Sequence, residues 1–270
     1  MSIAIVTGGA SGIGRAIATA LVLRGDTVIV ADLDKEGVEH AAGRLSEHGT
    51  AEAAELDVTD ADAVAALYRD TRERHGRLDL IFNNAGIAVG GATEELTLDH
   101  WNRTVDVNLR GVIHGVHAAY PILLEQGHGH ILNTASLAGL VPAPMMLPYT
   151  TTKHAVVGLS LALRAEAAEH GVRVSAICPG FVDTPLLDNA NPNLPETETG
   201  THARESALRV QRKLYTPEAL ARDVLRGIAK NQALIVAPAS ARAAWRGVRL
   251  SPEGAVRVAA RGLDRLRVRH

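Results

Sequence analysis

A phenol and an ammonium group stand four residues apart at Tyr149 and Lys153, separated by Thr150-Thr151-Thr152. On a helix, residues i and i+4 lie on one face, so the two side chains can converge on one reacting group. A tyrosine near its ordinary pKa of about 10 is a poor base at neutral pH, but a neighbouring cation favours the phenolate and lowers that pKa. Taken alone, such a pair is most often an ordinary helix-surface pair. Its chemistry depends on what the rest of the chain brings to it.

A glycine-rich segment, Thr7-Gly8-Gly9-Ala10-Ser11-Gly12-Ile13-Gly14, follows the first apolar run and continues into a helical pattern. Such glycines let the backbone turn tightly and approach a pyrophosphate at a helix N-terminus. Asp32 ends the second apolar run, eighteen residues after Gly14, where a carboxylate binds a ribose diol and repels a 2′-phosphate. Because no Lys or Arg stands in the loop or immediately after Asp32, these residues favour NAD over NADP. The loop lacks the Gly-Lys-Ser/Thr ending of a P-loop, which argues against nucleoside triphosphate hydrolysis.

Short apolar runs alternate with longer segments of helical spacing. Six runs predict strands, namely Ile3–Val6, Thr27–Ala31, Leu78–Phe82, Ile131–Thr134, Arg173–Ile177 and Ala233–Val236, and Glu52–Val58 is a weaker seventh, diluted by alanine. Strands alternating with helices predict a parallel sheet covered on both faces. With right-handed crossovers, the simplest fold class is α/β: a single doubly wound Rossmann-type domain around a seven-stranded parallel sheet. The Pro-, Asn-, Thr- and Glu-rich segment from Asp183 to Thr201 predicts a long loop or lid over a site.

Polar residues collect where the predicted strands end. Asn83-Asn84-Ala85-Gly86 closes the fourth strand, Ser136 ends the fifth and Pro179-Gly180 ends the sixth, while Asn108 lies in a predicted helix. In open parallel sheets, ligands bind outside the carboxyl ends of the strands. The sequence therefore predicts that these groups share one site with Tyr149 and Lys153.

These motifs together resemble the short-chain dehydrogenase/reductase family, in the same order, over roughly residues 1 to 240. The matching positions are Thr7–Gly14, Asp32, Asp57, Asn83–Gly86, Asn108, Ser136, Tyr149, Lys153 and Pro179–Thr184. The resemblance implies an oxidoreductase that transfers a hydride between NAD(H) and a secondary alcohol or ketone. It implies that Tyr149 is the general acid/base and that Lys153 lowers its pKa and binds the nicotinamide ribose. Ser136 would then hydrogen-bond the substrate oxygen, and Asn108 would hold a water that links Lys153 to solvent.

The resemblance also implies a set of cofactor contacts. Towards the pyrophosphate and the nicotinamide side they are Gly8, Ser11, Gly12, Ile13 and Gly14, and at the adenosine ribose they are Asp32, Asn84, Ala85 and Gly86. Asp57 and Val58 would contact the adenine, and Tyr149 and Lys153 the nicotinamide ribose. Val182 and Thr184 would contact the carboxamide, with Pro179 and Gly180 beside them. A rival interpretation is a cofactor-binding regulator or scaffold without turnover. Such a protein would commonly have lost one of the four catalytic positions, and all four are present.

Apolar residues are frequent in the two segments that could line the substrate pocket, one after Ser136 and one after Pro179-Gly180. They are Leu137, Leu140, Val141, Met145, Met146, Leu147, Phe181, Leu186 and Leu187. If they line the pocket, the small-molecule substrate is lipophilic around its carbinol carbon; the alternative is that some pack in the core or against another subunit. The histidine pairs His114/His117 and His128/His130 lack a matching Cys or carboxylate cluster, so no metal is expected. Cys178, at the end of an apolar strand, is expected to be a small buried hydrophobe.

Composition excludes several other classes of protein. The chain has 270 residues, 46% hydrophobic, and a formal net charge of −2, which argues against intrinsic disorder and against a general nucleic-acid binder. One cysteine excludes a disulfide scaffold and is typical of a reducing compartment. We see no secretory signal, and the charge-free stretch from Ile131 to Thr152 contains three prolines and is not a membrane span. A cytoplasmic protein that forms a homodimer or homotetramer is expected.

The charge is unevenly distributed between residues 1–239, the predicted catalytic domain, and the extension at 240–270. The extension carries eight Arg and two acids, a net of +6, which leaves −8 for the rest of the chain. Ser251 and Pro252 predict the start of a helix. Its apolar positions are Val256, Ala259, Ala260, Leu263 and Leu266, opposite Arg257, Arg261 and Arg265. Such a helix can lie on an anionic membrane, but docking of its apolar face on the protein's own body or a sister subunit is the preferred interpretation.

Overall fold

The computed structural model describes residues 1–211 and 213–263. Its centre is one parallel sheet of seven strands in the order β3-β2-β1-β4-β5-β6-β7. The strands are β1 Ile3–Thr7, β2 Thr27–Asp32, β3 Thr50–Glu55, β4 Leu80–Asn83, β5 Gly129–Thr134, β6 Val172–Pro179 and β7 Leu234–Ala237. Strand order reverses between β1 and β4, which creates the crevice where doubly wound sheets bind ligands. The predicted Rossmann-type fold is confirmed.

Burial explains which strands the sequence predicts well. The interior strands β1 and β4 are buried along their whole length, as expected for a sheet covered on both faces. The predicted strand Glu52–Val58 is wrong in its bounds, because the structure has β3 at Thr50–Glu55. This strand lies at the edge of the sheet and is half exposed, so its residues carry little apolar signal that could mark its ends.

The helices cover the two faces of the sheet. They are α1 Gly12–Leu23, α2 Lys35–Ser46, α3 Ala61–His75, α4 Leu98–Val105, α5 Gly111–Gln126, α6 Leu147–Ala167, α7 Glu198–Thr201, α8 Ala203–Val210, α9 Pro217–Ala229, α10 Ala239–Leu250 and α11 Pro252–Arg261. Helices α1, α2 and α9 pack on one face through residues such as Leu21, Leu45 and Val224. Helices α3 and α5 pack on the other face through Tyr68 and Leu123. Within the described residues, no helix is long and apolar enough to cross a bilayer.

The predicted lid region contains more helix than its composition indicated. The segment from Asp183 begins with a 3₁₀ turn at Pro185–Leu187 and then contains α7 and α8. We call residues 183–211 the lid segment. Its irregular first half agrees with the Pro- and Asn-rich sequence, whereas α8 lies beyond the predicted loop.

The extension forms two helices, α10 and α11. Ser251 caps α11 by accepting a hydrogen bond from the Gly254 amide at 3.2 Å, as predicted. Ala259 and Leu263 are partly buried, but Val256 and Ala260 are exposed. Among the described residues this face is thus covered in part, and α11 packs against α10. Docking of the rest on the protein's own body or on a sister subunit stays a prediction. Arg265 and Leu266 lie outside the described residues.

Candidate active site

The glycine loop between β1 and α1 requires glycine for steric reasons. Gly8 and Gly12 have φ of +66° and +51°, a region that side chains other than glycine enter only with strain. A Cβ on Gly14 would stand 2.0 Å from the Gly8 carbonyl oxygen. The loop therefore brings bare backbone to the start of α1, as close approach of a pyrophosphate requires.

The start of α1 fits an anionic group. Ser11 is the N-cap, but its own side chain makes no capping hydrogen bond in the described residues. No acid lies in the first turn, which contains Gly12, Ile13 and Gly14. The N–H groups at this helix terminus carry partial positive charge, which phosphate oxygens neutralise. The donor set thus suits the pyrophosphate of a dinucleotide.

Asp32, at the end of β2, shapes this loop. Its carboxylate accepts hydrogen bonds from the Ala10 amide at 3.0 Å and from the Asp34 amide at 3.2 Å. The sequence reasoning gave Asp32 a ligand-binding role alone. The structure adds a second role, because the same carboxylate holds the glycine loop against the end of β2.

Thr7 and Asn84 join the ends of three strands. The Thr7 hydroxyl accepts from the amides of Asn84 and Ala85 at 2.9 and 3.1 Å, and the Asn84 side chain donates to the Thr7 carbonyl at 3.0 Å. The Thr134 hydroxyl of β5 donates to the Asn84 side chain at 3.1 Å. The sequence did not predict that Thr7 joins these strands, although its position at the start of the glycine loop indicated a place near the other strand ends.

Asp57 and Val58 follow β3 on the same edge of the sheet. Asp57 accepts from the amide and hydroxyl of Thr59 at 2.8 and 2.7 Å. Burial acts to raise the pKa of Asp57, but these two hydrogen bonds outweigh it and hold the pKa below its ordinary value. The Val58 carbonyl lies 2.9 Å from Nδ1 of His114, so this loop is tied to α5.

Tyr149, Lys153 and Ser136 converge at the ends of β5 and β6. Helix α6 presents Tyr149 and Lys153 on one face, as predicted, with the Lys153 ammonium 5.4 Å from the centre of the Tyr149 ring. Lys153 Nζ donates to the Thr134 carbonyl at 2.8 Å. Ser136 caps a 3₁₀ turn by accepting from the Ala138 amide at 3.1 Å, and its hydroxyl lies near enough to Tyr149 to act on the pKa of that phenol.

The proton affinities at this site are displaced in opposite directions. Burial lowers the pKa of Lys153 to about 8. Burial also raises the pKa of Tyr149, a shift that the hydrogen bond to Ser136 reduces in part. In the protein alone the pKa of Tyr149 is thus raised, because removing the phenolate from water costs more than its neighbours return. That Lys153 lowers this pKa together with a bound oxidised nicotinamide stays a prediction.

Asn108 lies in a five-residue π-helical segment, Asp106–Arg110, between α4 and α5. Its side chain accepts from the Ile87 amide at 2.8 Å and donates to the Ile87 carbonyl at 3.0 Å. A Cβ on Gly86 would stand 3.0 Å from Asn108 Oδ1 and 3.7 Å from Lys153 Nζ. The structure thus brings Asn108, Gly86 and Lys153 together, with the Asn108 amide already bonded to the Ile87 backbone.

A buried chain of polar side chains crosses the sheet beneath this site. The Tyr68 hydroxyl donates to Asn83 at 3.1 Å, Asn83 donates to Asn133 at 2.8 Å, and Asn133 donates to Ser160 at 3.0 Å. Ser160 in turn donates to the Val156 carbonyl at 2.7 Å. This amide chain connects α3, β4, β5 and α6, and residue periodicity gave no sign of it.

The lid segment begins beside the glycine loop. Pro179 ends β6, and Val182 pairs with Tyr215 in an isolated bridge. A Cβ on Gly12 would stand 3.1 Å from the Thr184 methyl carbon, so the predicted carboxamide contact lies against the predicted pyrophosphate site. Arg204 on α8 donates to the Thr184 carbonyl at 3.1 Å and pairs with Asp183 and Asp188.

Gly180, between β6 and the lid segment, packs closely on two later elements. A Cβ there would stand 2.9 Å from Gln211 Oε1 and 3.7 Å from the Ala241 side chain. Gln211 also accepts from the Phe181 amide at 3.2 Å and donates to the Phe181 carbonyl at 2.8 Å. The end of the lid segment is thus fixed to its beginning.

A second attachment holds the middle of the lid segment. Asn191, buried with φ of +57°, donates to the Gly90 carbonyl at 2.9 Å and accepts from the Gly90 amide at 3.0 Å. It also donates to the Thr197 hydroxyl at 2.9 Å. His100 lies 2.9 Å from the Pro195 carbonyl. The lid segment is therefore latched onto the loop that follows Asn83–Gly86.

Several of the other residues that the sequence singled out are explained by their packing in the protein interior. Leu137 and Leu140 pack against the cluster that contains Cys178, so for these two the core alternative applies. Burial raises the pKa of the Cys178 thiol to about 12. His130 is buried against Ser175, and within residues 1–211 and 213–263 no group of three His, Cys, Asp or Glu side chains forms a metal site.

Comparison with known proteins identifies the family. A family model described as short chain dehydrogenase matches residues 2–195. The chain belongs to the short-chain dehydrogenase/reductase family. This short-chain dehydrogenase is 37% identical over 191 residues to an uncharacterized oxidoreductase of Staphylococcus aureus strain MW2, covering 71% of this chain and 82% of that protein. It is an oxidoreductase of that family.

Solved structures resemble the short-chain dehydrogenase over most of its length. One is a short chain dehydrogenase/reductase from Burkholderia phymatum in complex with NAD, 31% identical with a TM-score of 0.84 over 93% of this chain and 94% of that one. Another is a 3-ketoacyl-(acyl-carrier-protein) reductase from Brucella melitensis complexed with NADH, 29% identical with a TM-score of 0.75 over 87% and 94%. These two neighbours were solved in complex with NAD and with NADH, respectively.

Proposed function

We propose that this protein transfers a hydride between NAD(H) and a secondary alcohol or its ketone, with Tyr149 as the general acid/base. The observation that carries the proposal is the convergence of the Tyr149 and Ser136 hydroxyls with the Lys153 ammonium at the edge that also bears the glycine loop. When bound, the nicotinamide supplies the hydride chemistry. The protein has to move one proton and hold the geometry.

In this proposal, Ser136 hydrogen-bonds the substrate oxygen and stabilises the charge that develops on it. During alcohol oxidation the Tyr149 oxygen takes the hydroxyl proton, and during ketone reduction it returns that proton. Lys153 favours the phenolate and hydrogen-bonds the nicotinamide ribose. Since the Asn108 amide is occupied by Ile87, a relay water would be held by the main chain of the π-helical segment, where carbonyl pairing departs from that of an α-helix.

We propose NAD rather than NADP as the cofactor. The support is the Asp32 carboxylate at the end of β2 and the NAD- and NADH-bound neighbours. Asp32→Asn keeps an acceptor oxygen for the Ala10 amide and removes the charge. We expect it to raise the NADP/NAD ratio of kcat/KM at least about tenfold, because even in water-like screening a unit charge near a phosphate costs on the order of 1 kcal/mol per charge. An unchanged ratio contradicts the role of Asp32.

We also propose a lipophilic substrate. The support is that the apolar residues Met145, Met146 and Phe181 stand close in sequence to Tyr149 and to Pro179-Gly180 and are partly exposed. The test is turnover of secondary alcohols and ketones of graded chain length, followed by nicotinamide absorbance. For an apolar pocket, kcat/KM should rise up to about fourfold per added methylene. If kcat/KM does not change with chain length, the lipophilic pocket is contradicted, whereas the proposed hydride transfer is not. NADH binding without turnover of any compound would favour the regulator or scaffold.

A further inference from the structure

The C-terminal helix pair, residues 239–263, is firmly attached at its start. Ala241 is buried, and Trp245 packs against the cluster that contains Val236 and Cys178. Arg242 donates to the Val236 carbonyl at 2.9 Å. Because Ala241 also contacts Gly180, the helix pair projects from the sheet edge that carries the candidate active site. It is a fixed platform rather than a loose tail.

The C-terminal helix pair exposes both apolar and basic side chains. Leu250, Val256 and Val258 are 88%, 55% and 69% exposed. Exposed arginines accompany them at Arg246, Arg249, Arg257 and Arg261. Among the described residues from 240 onwards the one acid is Glu253, which approaches Arg257 at 3.9 Å. Within residues 213–263, most of these arginines thus have no acidic partner.

Three kinds of occupant differ in how they suit this surface. A second copy joined symmetrically would bring arginines against arginines, which costs energy. A nucleic acid would pair with the arginines but would gain nothing from Leu250, Val256 and Val258. An anionic membrane surface matches both features, since its headgroups attract the arginines and its acyl boundary accepts the apolar side chains.

We propose that the C-terminal helix pair docks the protein on a membrane surface rich in anionic lipid. The exposed Arg246, Arg249, Arg257 and Arg261 supply the electrostatic part. The exposed Leu250, Val256 and Val258 supply the apolar part. Together they give the two signals that stable peripheral attachment requires. The proposal does not depend on the reaction proposed above.

The test is co-sedimentation of the full chain with vesicles of phosphatidylcholine alone or mixed with phosphatidylglycerol. We expect binding to the mixed vesicles that weakens with salt. Replacing Arg246, Arg257 and Arg261 by Gln should weaken it about fivefold per arginine and about a hundredfold in all. The matched control replaces the exposed Arg44, Arg69 and Arg222 by Gln, which changes the net charge equally and should leave binding nearly unchanged.

A second variant separates attraction by charge from insertion. Leu250→Ser, Val256→Ser and Val258→Ser together should weaken binding while keeping its salt dependence, because the arginines remain. Turnover in solution should be unchanged in every variant. Equal binding to both vesicle types, or equal loss in the two arginine variants, overturns the proposal. So does a preference for duplex DNA over vesicles, or a shift in oligomeric state as the main effect of the Arg246/Arg257/Arg261 variant.

Discussion

The amino ends of the parallel strands form one edge of the sheet and their carboxyl ends form the other. Buried charged groups occur at both edges, but their hydrogen-bond and ion-pair partners differ. At the amino edge, Asp26 accepts from the Ser2 amide at 2.8 Å and Asp79 accepts from the Ile3 amide at 2.8 Å. Arg24 and Arg77 pair with these two carboxylates. Each of these two carboxylates therefore has both an opposite charge and a backbone amide as partners.

At the carboxyl edge, Lys153 and Tyr149 have no opposite charge paired with them in the described residues. Lys153 has the Thr134 carbonyl as its hydrogen-bond acceptor, and burial lowers its pKa to about 8. Burial raises the pKa of Tyr149. Displaced proton affinities cost stability and are typical of catalytic sites. The comparison indicates that the charged groups of the amino edge stabilise the sheet, whereas those of the carboxyl edge have the shifted pKa values that are typical of catalytic sites.

The largest expected effect is at Tyr149. Tyr149→Phe should lower kcat by about a thousandfold, within the usual range for loss of a general acid/base, while NADH affinity and the unfolding midpoint change little. The partly buried Tyr120 of α5 is the matched control, and Tyr120→Phe should keep turnover. Retained activity in Tyr149→Phe contradicts the assignment.

The next effect concerns the amino edge and should appear in stability rather than in rate. Asp79→Ala leaves the Ile3 amide and Arg77 without their partner, and should lower the free energy of unfolding by about 2–3 kcal/mol. Urea unfolding measures this loss, and kcat should stay as in the unmodified protein. The exposed pair Asp70–Arg74 is the control, since Asp70→Ala should cost less than about 1 kcal/mol. A large fall in kcat for Asp79→Ala would break the division between the edges.

A pH effect of similar size is expected at His130, on β5. Burial, with smaller contributions from Arg173 and Arg164, lowers the pKa of His130 to about 3. The unfolded chain takes up this proton near pH 6.5, so stability is full above that pH and is lost as the pH falls towards 3. At about 1.4 kcal/mol per pH unit, this group should contribute a loss of about 2 kcal/mol between pH 6.5 and 4.5.

The measurement is urea unfolding at both pH values. His130→Gln keeps a donor for Ser175 and removes the titration, so it should lose about 2 kcal/mol less than the unmodified protein over that interval. Exposed His48 is the control, because His48→Gln should leave the pH dependence unchanged. Equal pH dependence in His130→Gln and the unmodified protein would refute the role of His130.

The smallest effect is expected in the lid segment, which closes the carboxyl edge. Asn191→Asp removes the donor to the Gly90 carbonyl and to Thr197, and should raise the substrate KM about tenfold, as expected for about 1.4 kcal/mol of hydrogen bonding. The lid segment should also be cleaved faster by proteases. Asn193 has the same φ of +57° but is exposed, so Asn193→Asp is a control with equal backbone demands. Similar KM values in the two variants would show that the latch is unimportant.

Sequence reasoning was most successful where a property repeats along the chain. The buried strands, and hence the edge that gathers Asn84, Ser136 and Tyr149, follow from apolar runs because parallel strands all end on the same side. The bounds of β3 and the presence of α8 were missed, since partly exposed segments carry weak periodicity. Pairings such as Ile3 with Asp79 join residues 76 positions apart, and no local pattern encodes them.

The proton affinity of Tyr149 shows a different limit. The Tyr149–Lys153 spacing correctly predicted a shared helix face, but it carries no information on how much water reaches the phenol. Burial is a property of the assembled layers, and here it raises the pKa of Tyr149 although a cation lies nearby. Residue types predicted the participants, and three-dimensional packing determined the direction of the shift.

The amide chain from Tyr68 to Ser160 fixes the rotation of α6 about its own axis. Ser160 lies eleven residues after Tyr149, three turns or about 16 Å along the helix. Apolar contacts tolerate a small roll of a helix, whereas a hydrogen bond weakens steeply once its angle is lost. The orientation of the Tyr149 phenol about the helix axis is thus coupled to the hydrogen bond that Ser160 accepts from Asn133 of β5. A substitution at Ser160 or Tyr68 would therefore reorient the Tyr149 hydroxyl without contacting substrate. We expect such a variant to lower the rate of proton transfer although every residue of the pocket is unchanged.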